Sequence, residues 1–84
     1  MYVEFFGVPR ERAGLSRLEV QADTLGQLLG KLATQIPSFD KLVGLNRLHP
    51  AFIANLNGDQ FISDPGTPLG KDDCVLILSA DAGG

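Results

Sequence analysis

Five consecutive apolar residues, Cys74-Val75-Leu76-Ile77-Leu78, stand almost at the end of an 84-residue chain. A strand that is apolar at successive positions is expected to be covered on both faces, so this run predicts the central strand of a sheet. The rest of the chain must then supply its neighbours and a layer to pack on them. The length suits one small domain, and 44% hydrophobic content is ordinary for a fold with its own core. We expect a single domain over residues 1–84 without linkers, ending in a flexible tail from about residue 80.

Tyr2 to Phe6 is short, aromatic and β-branched and reads as a strand; Gly7 to Gly14, with two glycines and Pro9, reads as an irregular loop. From Arg17 to Gln21 polar residues alternate with Leu18 and Val20, the period of a strand with one buried face. These two strands make a hairpin. Leu25, Leu28, Leu29, Leu32 and Ile36 then fall on one face of a helix, with Thr24 as N-cap, Gln27 as its capping-box partner and Pro37 as the stop. Gly26 and Gly30 weaken that helix by up to about 1 kcal/mol each relative to alanine. Ser38 to Pro50 suits a short helix and a loop. Ala51 to Leu56 reads as a strand, Asn57-Gly58 is a hairpin signal, and Gln60-Phe61-Ile62 returns. A turn at Asp64-Pro65-Gly66 and the charged step Lys71-Asp72-Asp73 lead into the apolar run. The order strand, strand, helix, strand, strand, strand predicts an α+β fold of β-grasp layout: a mixed sheet of about five strands with one main helix packed on one face.

Composition excludes several classes of function. With a net charge of -3 and its seven basic residues spread singly, the chain has no stripe to follow a phosphate backbone, which argues against a nucleic-acid partner. No apolar run approaches the roughly 20 residues that span a bilayer, and Met1-Tyr2-Val3-Glu4 does not open a signal peptide, so we expect a cytoplasmic protein without a membrane partner. A lone cysteine rules out a disulfide framework and a multi-cysteine metal site. Cys74, in the apolar run, reads as core, and His49, beside Pro50, as a loop residue, so no nucleophile and base are paired. Gly26 to Lys31 lacks the spacing of a phosphate loop, and Asp72 and Asp73 lack that of a calcium loop. Arg10, Glu11 and Arg12 read as hydrated loop charges. We therefore expect no active site, no metal and no bound cofactor in the chain itself.

The last residues are Asp81-Ala82-Gly83-Gly84. At average glycine usage of about 7%, two glycines occupy a given pair of positions in only ~0.5% of chains. Without Cβ atoms such a tail can enter a slot closed to side chains and present the carboxylate of Gly84 to another protein. A carboxylate is a poor electrophile until it is converted to an acyl adenylate, after which a sulfur nucleophile or a lysine amine can take the acyl group. Asp81 adds a charge for a partner to read. Phe61, on an outward position of the last two strands, is a further candidate contact.

Over its whole length the chain resembles the MoaD/ThiS family of ubiquitin-like sulfur carriers, and MoaD-type members most. The residues that carry the resemblance are Phe6 with Arg10-Glu11-x-Ala13-Gly14, Thr24-Leu25-x-x-Leu28-Leu29-x-x-Leu32, Asn57-Gly58, Leu69 to Val75, and Gly83-Gly84. The family often has Gly-Asp where this chain has Asp72-Asp73, and a proline-containing approach to the tail where it has Ser79-Ala80-Asp81-Ala82. The resemblance implies that Gly84 is adenylated, then converted to a thiocarboxylate, while Gly83 and Ala82 thread the partner's active site. It implies as partners an adenylating enzyme of the ubiquitin-activating type (MoeB/ThiF-like), which uses ATP, a sulfur donor, and the large subunit of molybdopterin synthase, with the sulfur passing to molybdopterin. Alternatives are a protein modifier that forms isopeptides through Gly84, and a carrier serving thiamine, transfer-RNA thiolation or cysteine synthesis. A third class is a binding module whose sheet face recruits a partner.

Overall fold

The structure, a computed structural model, describes residues 1–44 and 47–80, and of residues 40–44 and 47 the backbone alone. Strand β1 (Tyr2–Phe5) is followed by a short helix α1 (Val8–Ala13), β2 (Arg17–Glu19) and the main helix α2 (Leu25–Gln35). A 3₁₀ turn (Pro37–Leu42), the two-residue strands β3 (Val43–Gly44) and β4 (Arg47–Leu48), then β5 (Phe52–Leu56), β6 (Gln60–Ile62) and β7 (Cys74–Ser79) complete the chain. Five strands form one mixed sheet in the order β2-β1-β7-β5-β6, with β3 and β4 as a separate pair. β7 runs parallel to β1 and antiparallel to β5. This is the β-grasp arrangement, and the apolar run is its middle strand.

Register decides which residues meet α2. Val3 and Phe5 pair with Val75 and Ile77, and Ala54 and Leu56 pair with Ile77 and Val75, so these side chains share one face of the sheet. Val3, Phe5, Ala54, Val75 and Ile77 are buried, together with Leu25, Leu28, Leu29 and Leu32 of α2. Phe39, from the 3₁₀ turn, closes the end of this core with its ring edge-on to Phe5 at 5.3 Å. Burying side chains of this size stabilises by about 1.5–3 kcal/mol each, which outweighs the two helical glycines.

The ends of α2 are satisfied locally. Thr24 Oγ1 accepts from the Gln27 N–H (3.2 Å), while Gln27 Oε1 accepts from the Asp23 N–H, one residue earlier than in a regular capping box. The N–H groups of Leu25 and Gly26, which have no partner within the helix, donate to the carbonyls of Thr67 and Pro65. The 64–69 segment is thereby tied across the start of the helix. At the far end the Ile36 N–H donates to the Leu32 carbonyl and Pro37 begins the 3₁₀ turn.

Three expectations change. Gly7 to Gly14 is helical over Val8–Ala13, because its breakers frame a helix: Pro9 stands in the first turn, where a missing N–H costs nothing, and Gly14 closes the end with left-handed backbone, φ 75°. The Ser38 side chain donates to the Arg12 carbonyl and ties this helix to the 3₁₀ turn. The 38–50 stretch is a 3₁₀ turn with a miniature antiparallel pair, Val43 opposite Leu48, where a helix and loop were expected. The third change concerns β7, whose second face α2 does not cover: Val75 and Ile77 are buried while Cys74, Leu76 and Leu78 are half-buried.

The Asn57-Gly58 turn forms as expected, with both residues at positive φ (57° and 75°) and the Asp59 N–H donating to the Leu56 carbonyl. Asn57 also clamps the start of β7. Its Oδ1 accepts from the Cys74 N–H (2.8 Å) and its Nδ2 donates to Asp73 Oδ1 (2.9 Å), while Asp73 Oδ2 accepts from the Gly70 N–H (2.7 Å). The Asn57 hydrogen bond, then that from Gly70, holds the Asp73 carboxyl below the usual carboxylate range. A carboxylate favoured by the folded state stabilises it above the unfolded titration range, and that contribution is lost as pH falls through the lowered folded value. Asp73→Ala is expected to lower the urea midpoint at pH 7, with the gap to the parent chain closing below about pH 4. A gap that stays constant down to pH 2 would show that the charged form of Asp73 is not what the clamp uses.

Candidate functional site

Because strand side chains alternate, the residues of β7 that do not meet α2 lie on the opposite, open face of the sheet. Leu76 stands between Glu4 of β1 and Asn55 of β5, with Phe61 of β6 opposite Asn55. One step toward the end of β7, Leu78 pairs with Ile53, while the Phe6 N–H donates to the Ile77 carbonyl and continues the β1 ladder beyond its last strand residue. Ile53, Leu76 and Leu78 are half-buried, and Phe6 and Phe61 are 50% and 60% exposed. No other element of the described chain covers this apolar group. Its β2 side is polar: Arg17 lies over the Tyr2 ring at 3.7 Å, and Glu19 pairs with Tyr2.

Phe61, singled out from the sequence, stands on this open face. Cys74 does as well, which corrects its reading as core: its position on β7 has the parity of Leu76, and its thiol donates to Glu4 Oε1 at 3.6 Å. Desolvation, and then the adjacent Glu4 carboxylate, push the Cys74 thiol above its ordinary value. A thiol held protonated in this way is a poor nucleophile at neutral pH. His49 precedes β5, whose first residue pairs with Ser79, whereas Cys74 begins β7 five residues away. At about 3.3 Å per residue the two lie roughly 16 Å apart along the strand, too far for a nucleophile and its base. The His49 ring is used locally, accepting from the Ala51 N–H at Nδ1 and packing edge-on to Phe52. Among the described residues no group of three acidic, histidine or cysteine side chains could hold a metal ion, and no helix is long and apolar enough to cross a membrane.

Asp81, Ala82, Gly83 and Gly84 lie outside the described residues. The strand that leads to them is described: Ser79 pairs with Phe52, and the Ala80 N–H donates to the Ala51 carbonyl (2.9 Å), so the ladder reaches residue 80. Ser79 and Ala80 follow Leu78, the cross-strand partner of Ile53, at this end of the open face. Chemically, this surface offers apolar contact from Ile53, Leu76, Leu78, Phe6 and Phe61. Phe61 is legible in the sequence, whereas Leu76 and Leu78 are not, because consecutive apolar residues suit a strand covered on both faces, and nothing local marks Ile53 and Asn55 as the outward residues of theirs. The alternation of Leu76 and Leu78 with Val75 and Ile77 carried the signal once a single helix was expected.

Neither a protein-family model nor a curated protein matches the chain. Solved structures do. The small archaeal modifier protein SAMP1 from Haloferax volcanii superposes with a TM-score of 0.76 at 23% identity, covering 99% of this chain and 97% of that one. A chain of the Amycolatopsis orientalis BexX/CysO complex gives 0.78 at 20% identity, with 99% and 98% covered. A chain from the complex of subunits 1 and 2 of the Helicobacter pylori molybdopterin-converting factor gives 0.66 at 23% identity, with 93% and 89% covered. The similarity runs over nearly the whole chain in each case, and with the strand order described above it gives this chain the ubiquitin-like β-grasp fold.

Proposed function

We propose that the chain is a ubiquitin-like sulfur carrier for molybdopterin synthesis, acting as the small, non-catalytic subunit of a molybdopterin synthase with Gly84 as its working group. The observation that carries this reading is the position of β7. The middle strand of the sheet ends at Ser79 beside an uncovered apolar face, and the sequence that follows it ends in Gly83-Gly84. A partner that docks on the face would receive the tail in a fixed direction, with Phe61 among its contacts, Asp81 at the mouth of its site, and Ala82 and Gly83 threading inward.

In the proposed cycle an adenylating enzyme of the ubiquitin-activating type joins the Gly84 carboxylate to the α-phosphorus of ATP and releases pyrophosphate. Hydrosulfide released by the sulfur donor then attacks the acyl carbon, the bond to AMP breaks, and a thiocarboxylate is left. The charged carrier passes to the large synthase subunit, where the sulfur bonds to the pterin precursor and water cleaves the acyl–sulfur bond to restore the Gly84 carboxylate. ATP belongs to the activating enzyme, and the carrier holds no cofactor. The Arg10-Glu11-x-Ala13-Gly14 segment, folded as α1 against β7, and the likeness to a chain of the Helicobacter pylori complex favour molybdopterin as the destination. A second reading, a protein modifier captured by a lysine amine, is favoured by the likeness to proteins named small archaeal modifiers. Both readings require activation of Gly84 and differ in what takes the acyl group.

Incubated with ATP, its adenylating enzyme and a sulfur donor, the chain is expected to exchange one oxygen for sulfur at Gly84, located by fragmenting the carboxyl-terminal peptide in a mass spectrometer. Removal of Gly84 should abolish the exchange. An unmodified carboxylate would overturn the carrier reading, and Gly84-dependent isopeptides on other proteins would replace it with the modifier. Docking is tested separately by Phe61→Ala. Because that ring is 60% exposed, its loss should change the unfolding free energy by less than about 0.5 kcal/mol. As an aromatic contact at an interface it should raise the KM for the carrier in adenylation about tenfold.

A further inference from the structure

One polar group interrupts the open face. Asn55 sits in β5 between Leu76 on one neighbouring strand and Phe61 on the other, and the residue is only 9% exposed. Its Oδ1 is out of reach of solvent and accepts no hydrogen bond, the one buried side-chain oxygen or nitrogen so placed among the described residues. Buried polar groups are nearly always paired, and an unpaired carbonyl oxygen destabilises the chain that contains it. The fold gives no reason for this choice, since a leucine at the same position would join Leu76, Leu78 and Ile53 without leaving an acceptor unsatisfied. The cost is offset only if whatever covers the face brings a donor.

Phe61 makes that approach open from outside. It is the cross-strand neighbour of Asn55 and stands 60% exposed, and an exposed ring changes rotamer readily. The ionisable groups in the same cross-strand row, Glu4 and Arg17, lie two and three strands away from Asn55, about 10 and 14 Å at the usual strand spacing. The direct cross-strand neighbours, Leu76 and Phe61, are apolar. A cation buried there would lose its hydration without gaining a counter-charge, whereas an amide or indole N–H has far less hydration to lose.

We infer that the open face docks a protein whose contact patch surrounds one uncharged N–H donor with aliphatic or aromatic side chains, and that Asn55 Oδ1 accepts from that donor in the complex. This rests on the function proposed above and identifies the docked protein with the adenylating enzyme that receives the tail. Asn55 is then a recognition residue, which weakens the free chain and strengthens the complex.

The test is ATP–pyrophosphate exchange by that adenylating enzyme, titrated with the parent chain, Asn55→Leu and Asn55→Asp, alongside thermal unfolding of each free chain. For Asn55→Leu we expect Tm to rise by about 4–8 °C and KM for the carrier to rise about tenfold with kcat unchanged, the loss of one interfacial hydrogen bond. Asn55→Asp should also raise KM, since it buries a charge opposite a neutral donor. Normal exchange with an unchanged KM for Asn55→Leu overturns this inference alone. So does a fall in its Tm, which would mean that the oxygen is already paired in the free chain, and so does tighter binding of Asn55→Asp, which would mean a cationic donor. Absence of exchange with the parent chain overturns the proposed function together with the inference built on it.

Discussion

The rest of the molecule depends on β7 being hydrogen-bonded along both edges. β1 pairs with it in parallel from Tyr2 opposite Cys74 to Phe5 opposite Ile77, and β5 pairs with it antiparallel from Leu56 opposite Val75 to Phe52 opposite Ser79. Two segments far apart in sequence are thus joined through a third near the end of the described chain, and a parallel pair needs a long crossover between its strands. α2 supplies part of that crossover and covers the face that the pairing creates. Val75 and Ile77 become buried because they have the parity that faces α2, and the same geometry leaves Leu76 and Leu78 on the other side.

A sheet with one helical layer has one covered face, and most small proteins make the other face polar. This one does so only toward β2, where Arg17, Glu19 and Glu4 stand on the open face. Toward β5 and β6 it presents Leu76, Leu78, Ile53 and Phe61, with Phe6 at the edge. Fold stability does not require apolar residues there, so the asymmetry is a property of the surface. It lies toward the end of β7, where Leu78 pairs with Ile53 and Ser79 with Phe52.

The two ends of β7 are held by different means. At its start Asn57 and Asp73 form a side-chain clamp that takes up the Cys74 and Gly70 N–H groups, and at its finish the ladder continues to Ala80 through the Ala51 carbonyl. The clamp also gives Asp73 a role that its neighbour Asp72 lacks, although the pair reads from sequence as a hydrated turn. The apolar face and the last paired residues of β7 are therefore fixed relative to one another.

The sequence by itself determined the elements whose cause is local. Periodicity from Leu25 to Ile36 placed α2 with its Thr24 cap, Asn57-Gly58 specified its turn because both residues tolerate positive φ, and the apolar run specified the middle strand. Local punctuation misled at Gly7 to Gly14, where proline and glycine mark the ends of a helix as readily as those of a loop. What only the tertiary structure decided is which side of each strand is inside. Apolar character says that a residue can be buried, whereas the number of layers on the sheet says whether it is. For that reason Cys74, Leu76 and Leu78, indistinguishable in sequence from the core residues between them, are half-buried on the open face, and Asn55 was left inside an apolar face with an oxygen that nothing in the described chain satisfies.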